Sequence, residues 1–341
     1  MELRVKGRDL VEILSAFVGN NKVMFNFLYK DEKLNIQILE DYTAVTNIDC
    51  ELITGPVIKD DVSFWVTNAV LTLLPSYDIV ININDVCVEF KQGLNSCRFN
   101  REYEARREFP AIEGYDLKPA YADRLKYLTH SAISCNPLAK ELSISNPDPQ
   151  FSNGKFYMDY KQTFFIENML YPEMCIPLNS LRAVAFKLDK DATYTYIREF
   201  DTVLFVSGKF QFWVPTNNYN LEGNRINAVD RILTDCKEIT TISIKDYVGQ
   251  MNTIVAAFPK QNITLSFGEN LFRVAVTSNS AQVIIGNLTT RPIVSIEVTS
   301  AQLNVISKLF KDDEDISIKR GANCICLNKN EKNLLISNLL F

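Results

Sequence analysis

The sequence predicts an α+β fold assembled from six similar repeats whose sheets are mostly antiparallel meanders. Three observations carry this. A phrase made of a β-branched residue, a leucine five positions on and an apolar residue three further recurs along the chain. It reads Val5/Leu10/Ile13, Val66/Leu71/Leu74, Ile176/Leu181/Val184 and Val298/Leu303/Ile306, with looser copies from Leu117 to Ile133 and from Ile244 to Phe258. Apolar residues at helical spacing run through each copy, and extended β-branched and aromatic text cut by polar turns follows it. Similarity at a period of roughly 50 to 70 residues marks a repeat architecture, because each repeat must bury its apolar stripe against a neighbour.

In the first repeat, Glu2 to Lys6 reads as a strand, and Leu10, Ile13, Leu14 and Phe17 fall on one face of a helix over 7–17. Strands KVMFNFLYK, KLNIQIL and YTAVTNIDCEL follow, the first two joined by a short turn at Asp31-Glu32. The second repeat has SFWV, a helix over 67–75 through Leu71 and Leu74 that Pro75 ends, then IVINI, VCVEF and SCRFN. The third has a helix from Tyr121 to about Ile133, a polar loop PDPQFSNG and two aromatic strands, KFYMDYK and TFFIEN, whose rings suit sheet packing. The fourth places Leu181, Val184, Ala185 and Leu188 on a helix over 178–188, followed by TYTYI, TVLFV and KFQFWV, with the hairpin glycine at Ser207-Gly208. The fifth helix, over 245–258, carries Val248, Met251, Val255 and Phe258. The sixth, over 299–311, carries Leu303, Ile306 and Phe310, and strand pairs ITLSF/LFRVAV and ISIK/CICLN complete these two repeats.

Paired repeats give three domains, 1–114, 115–237 and 238–341, a size in keeping with about 100–150 residues per domain. The N-terminus is charged from Glu2, so it lacks the apolar core of a secretory signal, and an intracellular, cytoplasmic protein is expected. No apolar run approaches the ~20 residues that span a bilayer, so no membrane partner is expected. The eight cysteines form no CxxC pair and read as buried reduced thiols; no metal site and no cofactor is expected. The phosphate-binding GxxxxGK[ST] and GxGxxG loops are missing. His130 is the only histidine, and it reads as solvated or channel-facing. The acidic run Asp312, Asp313, Glu314, Asp315 lacks the glycine and glutamate of a calcium loop and reads as a solvated turn. No catalytic constellation is present, which points away from an enzyme.

Charge separates the helices from the rest. The six helical segments hold Arg8, Arg124, Lys126, Arg182, Lys187, Lys245, Lys308 and Lys311 against Asp9, Glu12, Asp123 and Asp246, a net charge of +4 in a chain of net -5. The remainder therefore carries -9. Cationic helices on an acidic body suggest one surface reserved for a polyanion.

This pattern resembles the DNA sliding clamps of the bacterial polymerase III beta-subunit type. The most specific stretch is VEFKQGLNSCRFNREYEARREFPAIEG, where Cys97-Arg98-Phe99 matches a strand of the form SRF ahead of the pair Phe109-Pro110; MCIPLNSL and the apolar ending LLISNLLF match further. The resemblance implies three tandem clamp domains, each a doubled βαβββ unit, in a homodimeric ring that encircles double-stranded DNA without reading its sequence. A domain of gyration radius about 13 Å is ~30 Å across, so six in a ring leave room for a duplex. Partners implied are a DNA polymerase, a clamp loader and a second copy of the chain. The DNA-facing set is then the eight helix cations together with Lys22 and Lys140 at the rim. A partner-peptide pocket maps onto Tyr160, Thr163, Phe165, Leu233, Leu339, Leu340 and Phe341, and the ring interface onto Phe99, Arg101, Val255 and Phe258. The chain departs from the family where ATDGHRL is replaced by DYKQTFF and an MPMRL ending by SNLLF, which suggests a different partner peptide and a phage-borne or otherwise divergent clamp. The reading from another class is a β-rich phage structural or assembly protein.

Overall fold

The computed structural model describes residues 1–19, 22–141, 148–217, 223–259, 261–269, 271–277, 282–285 and 292–337. The first repeat folds as its spacing requires: Gly7–Phe17 is an α-helix that buries Leu10, Ile13, Leu14 and Phe17. Glycine opens this helix because nothing larger fits. A Cβ at position 7 would lie 1.9 Å from the carbonyl oxygen of Tyr77 and 2.9 Å from that of Leu74. Both are backbone atoms and cannot swing away, so Gly7→Ala is expected to destabilise the fold by at least the ~1–3 kcal/mol of an overpacked site. Thermal melting checks this, and an unchanged midpoint would contradict the crowding.

Strands Val23–Lys30 and Lys33–Leu39 turn at Asp31 and Glu32, with φ of 52° and 58°. Two left-handed residues match the right-handed strand twist of a two-residue hairpin. Gly208, φ 55°, plays the same part between Thr202–Ser207 and Phe210–Pro215.

The chain divides into two compact units, Met1–Leu125 with Asn179–Thr216, and Lys126–Leu178 with Asn217–Phe341. In the first, twelve strands form one sheet. Its order is Glu2–Val5, Ile79–Ile83, Cys87–Gln92, Asn95–Glu102, Val62–Val66, Val23–Lys30, Lys33–Leu39, Thr43–Thr54, Phe210–Pro215, Thr202–Ser207, Thr193–Ile197, Lys118–Pro119. The second unit holds an eight-stranded sheet, Met174–Cys175, Gln150–Ser152, Lys155–Tyr160, Thr163–Asn168, Lys332–Ser337, Cys324–Lys329, Ile316–Arg320, Lys237–Ile242. A four-stranded sheet completes it, in the order Gln282–Ile285, Leu271–Thr277, Ile263–Gly268, Val294–Val298. The predicted α+β class with antiparallel meanders is what forms, as in the ladders Lys155–Tyr160 to Thr163–Asn168 and Cys87–Gln92 to Asn95–Glu102.

Three elements differ from expectation. The second repeat has no α-helix: Asn68–Thr72 is a 3₁₀ turn that buries Val70, while Leu73 just beyond is 2% exposed. Leu71 and Leu74 face outward at 48% and 50%. Three residues per turn puts i and i+3 in line, so the buried pair shifts by one from the predicted stripe. In the third repeat the helix Ala122–Ser134 is followed at once by a second, Asn136–Glu141, and part of the predicted polar loop is the strand Gln150–Ser152. A helix not among the six predicted, Gly223–Asp235, forms just ahead of the boundary expected at 237. The sixth helix, Ser300–Leu309, is closed at its start by a capping box in which Thr299 and Gln302 each bond the other's backbone N–H.

All eight cysteines are free, and all but the half-buried Cys236 are buried. Burial pushes the thiols of Cys135, Cys175 and Cys326 up to about 12 and that of Cys50 up to about 11. Unfolded, these groups ionise near their ordinary 9, so above that pH the unfolded chain holds fewer protons than the folded one and stability falls as pH rises. Loss of ellipticity between pH 9 and 12, and none between 7 and 9, is the expected result.

Candidate nucleic-acid surface and partner pocket

Of the predicted cations, Arg8, Arg124, Lys126, Lys140, Arg182 and Lys308 lie on α-helices, whereas Lys187 and Lys311 follow helix ends, Lys245 opens the 3₁₀ turn Lys245–Tyr247 and Lys22 is in a loop. On Ala122–Ser134 the buried residues Ala122, Leu125, Leu128, Thr129 and Ala132 form the inward stripe, with Arg124 and Lys126 half-buried beside it and His130 exposed. Arg8, Lys22, Lys140, Arg182, Lys245, Lys308 and Lys311 are exposed. Lys22 lies in the loop ahead of Val23–Lys30, its Nζ 5.9 Å from the Trp65 ring centroid; Lys140 is on the helix Asn136–Glu141 rather than in a loop.

Their availability differs. Lys187 is half-buried, donates to the Ala16 carbonyl at 2.7 Å and lies 4.7 Å over the Phe17 ring; desolvation holds its ammonium below the ordinary lysine range. It is a structural cation. Lys245 pairs with Glu314 at 3.1 Å, which raises its pKa, and Lys311 lies 3.7 Å from Asp312. Arg8, Arg182 and Lys308 form no ion pair among the described residues. The acidic run is a turn, as expected, but not a fully solvated one. Asp313 accepts from Lys332 at 2.5 Å, and the same ammonium donates to the Leu309 carbonyl at 2.6 Å.

The fold brings Lys308 and Lys311 together with Tyr127 and His130 around a cavity of about 550 Å³ in the second unit. Sequence reasoning names the lysines and the histidine separately; only the packing of Ser300–Leu309 against the neighbouring helices makes them one surface.

Three residues of the predicted partner pocket lie within the packed interior. Tyr160, Thr163 and Phe165 are 1%, 1% and 0% exposed. The Tyr160 hydroxyl donates to the Ala132 carbonyl at 3.4 Å, and Thr163 Oγ1 accepts from Gln302 Nε2 at 2.8 Å. These residues belong to the inner face of the sheet. Side chains alternate along a strand, so residues one place away point the other way. Tyr157, Phe164 and Ile166 face outward, and with Ile226, Val229, Cys324, Cys326 and Leu335 they form a cluster against which Leu233 and Ile232 pack. The helix Gly223–Asp235 is tied to this face by Lys155–Asp230 at 2.6 Å and Arg225–Asp159 at 3.0 Å, with the Tyr157 hydroxyl donating to Asp230 at 2.9 Å. Ile226, Val229 and Leu233 stand at i, i+3 and i+7, a helical signal that was legible in the sequence. Leu339, Leu340 and Phe341 lie outside the described residues.

Of the predicted ring interface, Phe99 is 8% exposed and packs inward on Phe90 and Phe64, with centroids at 5.8 and 6.2 Å. Arg101 donates to the Asn84 carbonyl at 3.0 Å. Val255 and Phe258, at the end of the helix Val248–Ala257, are half-buried. More informative is the strand that carries Phe99. Asn95–Glu102 pairs along its length with Cys87–Gln92, but on its other side only Arg101 and Glu102 meet Phe64 and Ser63. Among the described residues, 95–100 have no second strand neighbour, and Gln282–Ile285 is likewise an edge of its sheet.

No family model matches the chain, and no curated protein matches its sequence. Solved structures do match. The chain is similar to the Caulobacter crescentus polymerase III beta structure (TM-score 0.74, 10% identity, covering 99% of this chain and 100% of that one). It is similar to the DNA polymerase III beta chain of Streptococcus pneumoniae TIGR4 (TM-score 0.73, 13% identity, 98% of both). It is also similar to the Helicobacter pylori beta clamp bound to a DNA ligase peptide (TM-score 0.64, 12% identity, 99% of both). The chain has the beta-clamp fold from end to end, in a divergent sequence.

Proposed function

We propose that this protein is a DNA sliding clamp, a non-enzymatic processivity factor that closes with a second copy into a ring around duplex DNA and tethers a polymerase. One observation carries the reading: the way the last strands of the six repeats are used. The last strand of repeat one, Thr43–Thr54, pairs with that of repeat four, Phe210–Pro215. The last strand of repeat three, Thr163–Asn168, pairs with that of repeat six, Lys332–Ser337. Repeats two and five are left over: among the described residues, 95–100 of Asn95–Glu102 keep an open edge, the end of that strand meeting Val62–Val66, and Gln282–Ile285 lies at the edge of its sheet. The same junction made between two chains, edge two of each with edge five of the other, is a two-fold arrangement that leaves no such edge unpaired. The reading takes the chain as three clamp domains, 1–114, 115–237 and 238–341.

A threaded ring needs only weak, exchangeable phosphate contacts, and the exposed cations Arg8, Arg182 and Lys308 are suited to supply them. A short peptide from a polymerase or clamp loader would dock beside Leu233, on the outer sheet face. The reading places the protein in a bacterial cytoplasm, that of a phage-infected cell included.

The test is topological. The protein is loaded by a clamp loader onto nicked circular duplex, and the circle is then linearised. A complex of twice 38.9 kDa that stays on the circle and slides off the linear form is expected. Protein that remains bound after cutting is held by contacts rather than by encirclement, and the proposal is then wrong.

A further inference from the structure

A cavity of about 630 Å³ opens in the first unit between the last turn of Gly7–Phe17, the helix Leu178–Ala185 with the turn after it, and the start of Phe210–Pro215. Its aromatic walls include Phe17, Phe210 and Phe186. Phe17 and Phe210 pack at 5.5 Å with ring planes 59° apart, and Phe186 is 45% exposed at the mouth. Its polar groups are Asn179, Arg182 and Lys187, and among the described residues no carboxylate lines it. Lys187 is committed to the wall through the Ala16 carbonyl and the Phe17 ring. The cation left for a ligand is the exposed Arg182.

Ring faces, a carboxamide that can both donate and accept, one available guanidinium and no acid select a planar ligand that carries a negative charge. We propose that this cavity is a binding site for an unstacked nucleotide of single-stranded DNA, its base against Phe186 and Phe210, its edge at Asn179 and its phosphate at Arg182. Duplex DNA hides its base faces, whereas a single strand offers them, and aromatic walls beside a cation are how proteins hold single strands without reading sequence. The volume lies within the ordinary range of small-ligand pockets, about 300–1,000 Å³. The proposal rests on the reading of these helices as the DNA-facing surface. A clamp with this seat would pause where duplex gives way to unpaired template.

The probes are a fluorescein-labelled oligothymidylate and a blunt hairpin duplex, followed by anisotropy with the full-length protein. Phe186→Ala is expected to weaken oligothymidylate binding roughly tenfold, within the range for one lost stack, to leave duplex binding unchanged, and to be rescued by Phe186→Tyr. An oligothymidylate carrying 5-iododeoxyuridine should photocrosslink to the wild-type peptide containing Phe186 or Phe210, a readout that needs no variant. The site is refuted if wild type does not bind the single strand, if Phe186→Ala has no effect or weakens duplex equally, or if the crosslink maps elsewhere. Displacement of the oligonucleotide by a tighter-binding acidic, phenylalanine-containing peptide would also refute it, by reassigning the cavity to a protein partner. Phe186-dependent single-strand binding in a protein that is retained on linearised DNA would leave this site standing and sink the ring.

Discussion

Arg98→Pro is expected to leave the chain folded and to stop it from pairing with a second copy. Arg98 lies in the middle of the open edge of Asn95–Glu102. Backbone groups alternate sides along a strand, and the Arg101 N–H points to the Val86 carbonyl, toward the strand already paired. By that alternation the N–H of Arg98 points to the open side. Proline there removes a donor that the chain's own sheet does not use, which is where a strand tolerates it. Cys97 is already extended, as the residue before a proline must be. The side chain gives up only a contact from Nε to the Cys87 sulfur at 3.0 Å. The loss between chains is larger: an interchain ladder bond disappears and the ring of the proline stands in the path of the partner strand. Sedimentation should show monomer at concentrations at least ~100-fold above those at which wild type dissociates, with an unchanged circular dichroism spectrum and no retention on circular DNA. A dimer of undiminished affinity would mean that chains associate by another surface.

The second large effect is electrostatic. Arg8→Glu combined with Lys308→Glu reverses two exposed charges per chain, four per proposed ring, and neither residue gives up an ion pair among the described residues. Stability should therefore hold within about 0.5 kcal/mol for each substitution. DNA affinity should not. Each phosphate contact contributes close to one unit to the slope of log affinity against log salt, so the slope should fall by up to about four and loading at physiological salt by ten-fold or more. The same slope in wild type and variant would show that these helices do not face the nucleic acid. Lys245→Glu makes an instructive comparison: its partner Glu314 already neutralises it, so its expected effect on DNA is smaller.

These cases show which parts of the molecule were legible in its sequence. The stripe Leu10, Ile13, Leu14, Phe17 and the turns at Asp31-Glu32 and Gly208 were, because local periodicity and backbone preference decide them. The helix Gly223–Asp235 carried a signal too, in the spacing of Ile226, Val229 and Leu233, though polar residues surround it in the sequence. The second repeat was not. In VTNAVLTLLP both Val70/Leu73 and Leu71/Leu74 make an i, i+3 pair, and only the surface available to cover them chose the first.

The burial of Tyr160, Thr163 and Phe165 was not legible for a related reason. Tyr160, Thr163 and Phe165 share a face with one another, and Tyr157, Phe164 and Ile166 share the opposite one. Both faces are apolar, so alternation in the text cannot say which is covered by the inner helices and which by Gly223–Asp235.

What the sequence determined by itself was the repeated α+β unit and stripes such as Leu10, Ile13, Leu14 and Phe17, since each is a matter of neighbours a few residues apart. The tertiary structure alone decided which cations are spent on Ala16 or Glu314, which sheet face is buried, and which strands keep residues without a second strand neighbour. The cation partners lie 171 and 69 residues away in the chain. A lysine's availability or a strand's last neighbour depends on what packs against it, and no local pattern records that.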